Sequence, residues 1–202
     1  MNTRTQRGFT LYELLVTVMV AGVILGIGVP NLLEFSRNNR ITATANDLIS
    51  SLYLARSEAV KQRAPVTLCA SPEPLIANPS CDPTVADPDS EGGYIVWLDT
   101  DADANVDGGE QILLQRDDPQ DIVVFGDNGY VNFGMNGNVA DIAGVGASAT
   151  RILLCDTRGN VVVSGTLSAA RAIRIDPTGR SSVLNEVATV APVVTALGAA
   201  CP

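Results

Sequence analysis

Between Phe9 and Val29 the chain is apolar almost without interruption, FTLYELLVTVMVAGVILGIGV, and a basic leader, MNTRTQRG, runs directly into it. At 1.5 Å rise per residue, a helix of about 20 apolar residues crosses the roughly 30 Å hydrocarbon core of a bilayer, so this stretch predicts a membrane-spanning helix. Arg4 and Arg7 precede it with no acid beside them, which keeps the leader cytoplasmic and sends everything after Pro30 outward. A secretory signal is cut behind its apolar core, where VILGIGVP offers only a weak site. A cut in front of the core, after Gly8, leaves the anchor in place. One acid, Glu13, breaks the apolar run near its start. A carboxylate costs about 2.5–3.5 kcal/mol at mid-bilayer and less near a helix end, so Glu13 implies a functional partner.

The helical pattern continues past the span. Ile41, Ala45, Leu48, Leu52, Ala55 and Ala59 recur at spacings of four and three, which places one apolar stripe on a helix over 31–63. Arg37, Arg40, Asp47, Arg56, Glu58 and Lys61 occupy its other face, and Pro65 ends it. Residues 64–202 read as β structure: VTLCA, GYIVWLD, EQILLQR, IVVFG, YVNFG, RILLCD, NVVVSG, AIRID and SVLN are short apolar or alternating runs separated by Gly, Asn, Asp and Pro turns. The expected fold class is α+β, with a long N-terminal helix packed on antiparallel sheet in one exported globular domain.

Charge is divided unevenly, with net +3 over residues 1–63 and net −12 over residues 64–202. An acidic exported domain repels nucleic acid on average, so DNA binding would need a local patch. The chain has no histidine, which removes Ser-His-Asp and Cys-His machinery and ordinary zinc sites, and no phosphate-binding glycine loop is present. The expectation is a protein that is not an enzyme.

Cys69, Cys81, Cys155 and Cys201 all lie on the exported side, where an even count favours two disulfides and allows three pairings. Cys69 with Cys81 closes the Pro-rich loop PEPLIANPS, and Cys155 with Cys201 ties the C-terminal tail to a strand; free thiols or a metal site are the alternatives. In LDTDADANVDGGEQILL, Asp103, Asn105 and Asp107 followed by Gly108 reproduce the opening of a calcium loop. Its closing half is missing, since the twelfth position is Leu114, although Glu110 is within reach of a cation in another loop shape. The loop therefore reads either as calcium-binding or as an acidic hairpin turn. No other cofactor is expected.

RGFTLYELLV resembles the class III leader and mature N-terminus of type IV pilins and type II secretion pseudopilins. That resemblance implies that a prepilin peptidase cuts after Gly8 (leader 1–8, apolar helix segment 9–30) and methylates the new terminal amine of Phe9. Glu13 would then neutralise the amine of a neighbouring subunit in the filament core, and Pro30 would kink or melt the helix. Tyr12 departs from the usual aliphatic residue at its position. The stretches RILLCDTRGN and ARAIRIDPTGRSSV, with the terminal CP, resemble minor pilins of the FimU/FimT type, the GspH-like branch. The similarity covers the N-terminal helix and residues about 150–202 well and the middle loosely.

Membership there implies a single-pass inner-membrane protein that later enters a pilus at the cell surface. Its partners would be prepilin peptidase, other minor pilins, the major pilin and a tip adhesin, and its role would be to help prime assembly near the tip. FimT-like members are linked to DNA uptake through a G-R-x-R element. Gly179 and Arg180 match it, but Ser182 stands at the second arginine. Arg171, Arg174 and Arg180, in a stretch that also holds Arg151 and Arg158, are the candidate DNA contacts, or else ordinary strand and turn charges. The competing functions are a DNA-uptake pilin and a type II secretion pseudopilin.

Overall fold

The computed structural model describes residues 9–82, 92–119, 121–198 and 201. Contacts divide the chain into two compact units, one ending at Asn39 and the other beginning at Arg40. Helix α1, Leu11–Gln62, contributes to both. It continues as α-helix through Pro30, and Asn31 donates its side-chain amide to the Ile27 carbonyl, one turn back at 3.1 Å. The helix stops at Arg63, which takes a left-handed conformation with φ of 54°, two residues before Pro65.

Among the described residues, ten strands follow: β1 Val66–Ser71, β2 Gly93–Leu98, β3 Ile112–Arg116, β4 Val123–Gly126, β5 Tyr130–Phe133, β6 Val139–Ala140, β7 Arg151–Cys155, β8 Val162–Ser164, β9 Leu167–Ile175 and β10 Ser181–Glu186. They form two antiparallel sheets, ordered β3-β2-β1-β5-β6 and β10-β9-β7-β4, with β8 paired to β9. A short helix, α2 Val187–Leu197, comes last.

All six residues of the predicted stripe, Ile41 to Ala59, are buried. They meet alternate residues of both sheets: Val66, Leu68, Val96, Val131 and Phe133 from the first, Ile152, Leu154, Ile173 and Ile175 from the second. The side-chain period of two in a strand leaves each sheet a second face to cover. Behind the first sheet, Cys69, Ile95, Trp97 and Tyr130 pack with Ala104 and Ile142 from loops. Behind the second, Phe125, Leu153, Ala170 and Ala172 pack with Val190 and Val193 of α2.

Helix α2 was not foreseen in the sequence. VATVAPVVTAL is rich in β-branched residues and contains Pro192, so local propensity opposes a helix. Burial of Val190 and Val193, a left-handed Gly198 at the C-cap and the disulfide at Cys201 override it.

Candidate functional site

The first turn of α1 is closed by a reciprocal pair of bonds. Thr10 Oγ1 accepts the Glu13 N–H at 3.2 Å, and Glu13 Oε2 accepts the Thr10 N–H at 3.5 Å. This is a capping box, with Thr10 at the N-cap and Glu13 at N3. The T-x-x-E spacing carries that signal, which the sequence reading of Glu13 as a lone acid overlooked. Phe9 is exposed, and the most apolar 18-residue window of α1, mean hydropathy 2.1, is wholly unburied in the chain. Gly8 lies outside the described residues.

Beyond Asn39 the same helix is fastened to the β domain by polar contacts at nearly every turn. Arg40 pairs with Asp121, and Asp47 with Arg116 at 2.9 Å. The Ser51 and Tyr94 hydroxyls are 2.9 Å apart, and Tyr53 donates to the Ser181 carbonyl at 3.1 Å. Arg56 donates to the carbonyls of Gly137 and Thr178, both at 3.0 Å. Gly179, in the D-P-T-G-R turn, has φ of 77°, and a Cβ there would collide with the Gly137 carbonyl that Arg56 binds. The glycine of the T-G-R motif thus lets a turn pack onto the helix.

Of the three candidate DNA arginines, Arg171 is withdrawn into the fold, whereas Arg174 and Arg180 stay exposed at the two ends of one turn. Arg171 is buried and donates to the Ala170 carbonyl at 3.0 Å and to the Ser168 carbonyl. Burial pushes its pKa down, Arg158 adds to the shift and Asp156 opposes it. Arg158 and the buried Asp156 form a partly buried ion pair, Nε to Oδ2 at 2.9 Å. Alternation along β9 places Arg171 with Ile173 and Ile175 on the face toward α1, and Arg174 on the other face. Arg174 is exposed, 3.3 Å from Asp176 and in register with Arg151; Arg180 is exposed in the following turn.

The acidic loop joins β2 to β3. Glu110 Oε1 accepts the Thr100 N–H at 2.8 Å and its Oε2 the Asp107 N–H at 3.2 Å, so it closes the hairpin itself. Asp103 accepts the Asn105 N–H at 2.7 Å and its amide at 3.0 Å, and these bonds lower its pKa. Asp103 gathers instead with Asp99 and Asp101, their carboxylate oxygens within 4.8 Å of one another, whereas Asp107 and Glu110 stand outside that group.

Asp99 is fully buried. It accepts from the Thr67 hydroxyl at 2.7 Å and from the N–H groups of Asp103 and Ala104, while Thr67 accepts from Asn132. Burial raises the Asp99 pKa against the opposing pull of these bonds.

Two disulfides, Cys69–Cys81 and Cys155–Cys201, join the loop after β1 and the C-terminal segment to their strands.

A sequence family described as Type II transport protein GspH matches residues 44–179, and the prokaryotic N-terminal methylation motif matches residues 3–29. Among curated proteins, the pilin-like protein PilA1 of Thermus thermophilus is 31% identical over 109 residues, 53% of this chain and 57% of that protein. A fimbrial protein of Pseudomonas aeruginosa is 26% identical over 70 residues, 35% of this chain and 45% of that protein. The chain thus spans about half the length of the curated relatives it matches. Among solved structures, the type IV minor pilin FimU of Pseudomonas aeruginosa superposes with a TM-score of 0.45 and 18% identity, over 74% of this chain and 92% of that one.

Proposed function

The chain belongs to the Type II transport protein GspH family, and from that premise we propose that it is a minor type IV pilin, a structural subunit that helps prime pilus assembly near the tip. Prepilin peptidase cuts it after Gly8 and methylates Phe9. The apolar helix holds it in the inner membrane, N-terminus inside, until it enters the filament beside other pilins.

One observation carries the reading. A single helix, Leu11–Gln62, joins an apolar stretch that none of the described residues buries to a half fastened into the β domain by a buried stripe and by polar contacts from Arg40, Asp47, Ser51, Tyr53 and Arg56. Such a helix needs apolar surroundings for its first half, which a membrane and then a filament core of like helices supply in turn. Glu13 fits that passage: an ammonium and a carboxylate are each costly in hydrocarbon and compatible as a pair.

The test is processing and incorporation in the native cell. Gly8→Val leaves the leader attached and Phe9 unmethylated, read by intact mass. Normal cleavage of that variant sinks the prepilin assignment. Glu13→Gln is cleaved normally but enters filaments poorly, and undiminished entry removes the pairing role. The family's description also favours a second reading, a subunit of a type II secretion pseudopilus. Deletion distinguishes the two: lost piliation with intact exoprotein export supports the pilin, the reverse the pseudopilin.

A further inference from the structure

A hydroxyl, a carboxylate and a carboxamide withdrawn together from water form either a closed hydrogen-bond network or the parts of an acyl transfer. On the face of the first sheet turned away from α1, Thr67, Asp99 and Asn132 make such a set, at 0%, 0% and 2% exposure.

Thr67 and Asn132 stand directly opposite in the β1–β5 register. Further along that pair Ala70 donates to Gly129, and hydrogen-bonded pairs alternate, so Thr67 and Asn132 occupy a non-hydrogen-bonded pair. The Asn132 N–H agrees, turning away from β1 to Ser148 Oγ at 3.1 Å. Side chains approach most closely at such a pair, where Cα atoms are about 4.5 Å apart.

The Thr67 hydroxyl touches both neighbours. It donates to Asp99 Oδ2 at 2.7 Å and accepts from Asn132 Nδ2 at 2.7 Å. The amide C–N bond is about 1.33 Å long, so Asn132 Cγ lies within about 4 Å of Thr67 Oγ1. Two backbone N–H groups, of Asp103 and Ala104, hold the Asp99 carboxylate in place beside the hydroxyl. The far end of the amide is unspent: among the described residues, no hydrogen bond engages Asn132 Oδ1. A network built only to satisfy buried polar groups would engage it. Nucleophile, base and acyl carbon are therefore in reach of one another, the constellation of nucleophilic acyl transfer.

We propose that Thr67 Oγ1 attacks Asn132 Cγ in the folded protein and joins β1 to β5 through an intramolecular ester. The Oγ1–Cγ bond forms and the Cγ–Nδ2 bond breaks. Asp99 takes the hydroxyl proton and returns it to Nδ2, which leaves as ammonia. Nothing is oxidised or reduced, no co-reactant enters, and Asp99 ends as it began. With no donor preset for the oxyanion the step is a slow single turnover, driven by proximity equivalent to about 10⁵–10⁸ M. Helix α1 ends at Gln62 and β1 begins at Val66, so a pull on the helix passes into β1, and the ester keeps that strand from parting from β5. This mechanical use rests on the pilin reading; the bond itself does not.

The full-length chain in mild detergent is incubated for several days at neutral pH, then denatured, reduced, digested with trypsin and weighed by mass spectrometry. Cleavage after Arg63, Arg116 and Arg151 places Thr67 on fragment 64–116 and Asn132 on fragment 117–151. The two fragments should travel as one species, lighter than their sum by one ammonia and increasing with time. Mild alkali should split it into unchanged 64–116 and 117–151 with its Asn132 amide hydrolysed. Thr67→Ser should keep the species, Thr67→Val should abolish it, and Asp99→Asn should slow its formation about 100-fold or more.

Fragments of the unaltered chain that run only separately after incubation overturn the proposal, so the test stands even where a variant fails to fold. A joined species in Thr67→Val overturns the choice of nucleophile, and one formed at full rate in Asp99→Asn overturns the role of Asp99. Absence of the ester beside normal leader cleavage and incorporation discards this bond alone. Failed cleavage discards the pilin reading and leaves the ester standing.

Discussion

Gly179→Ala should cost the β domain about as much as a core truncation, although the residue lies in a turn. The left-handed conformation at φ 77° penalises a side chain by about 1–2 kcal/mol. The new methyl would also meet the Gly137 carbonyl and Arg56 Nε, displacing the guanidinium from Gly137 and Thr178. Hydrogen bonds to a charged group contribute about 1.5–3 kcal/mol each, and the low end applies because Arg56 is only partly buried. The two lost bonds and the backbone penalty together come to about 4–5 kcal/mol. With a urea slope of about 2 kcal/mol per molar, the unfolding midpoint falls by about 2 M. Trp97, the one tryptophan and fully buried, reports the transition by fluorescence in the full-length chain held in mild detergent. Arg56→Ala supplies the second arm of a double-mutant cycle. Since Gly179→Ala already displaces Arg56 from both carbonyls, the double variant should fall short of the sum by about 3 kcal/mol. A midpoint shift under about 0.3 M, or strict additivity, would refute the clamp.

Leu52→Ala, at the centre of the buried stripe, should lower stability by about 2–5 kcal/mol in the same urea assay, whereas the exposed Ser57→Ala should change it by under about 0.5 kcal/mol. Separations of 12 and 46 residues predict about 3 kcal/mol lost without the Cys69–Cys81 bond and about 4 kcal/mol without Cys155–Cys201, measured on the paired Cys→Ser variants; the second also releases α2, read as faster amide exchange at Val190 and Val193. Asp99 has a folded-state pKa raised above 3.8, so the folded state binds its proton more tightly and gains stability as pH falls through the raised value toward 3.8. Asp99→Asn should remove that gain, visible as a wild-type-minus-variant difference that grows on acidification; a pH-independent difference would show that Asp99 does not titrate in this window.

The apolar span, the stripe from Ile41 to Ala59 and most of the strands were legible because each is written in a local period, 3.6 or 2, that any partner surface must match. The same alternation held the fate of Arg171, which shares its phase with Ile173 and Ile175; weighed as a charge in a basic stretch it reads as a DNA contact or an ordinary strand charge, whereas its strand puts it inside. Thr10 and Glu13 likewise carried a capping box in plain spacing. Other features had no local sign. Asp99, Asp101 and Asp103 converge only because β2 delivers Asp99 beneath the loop, where Thr67 and two backbone N–H groups hold it. Helix α2 forms against its own propensity because the far face of the second sheet needs covering. Thr67 meets Asn132 only once β1 has chosen β5 as its neighbour. Sequence determined most of the strands and the membrane-length helix, since those depend on periodicity and burial within one segment. Tertiary structure decided which polar groups are spent and which remain open, since that depends on what distant segments bring to the same place.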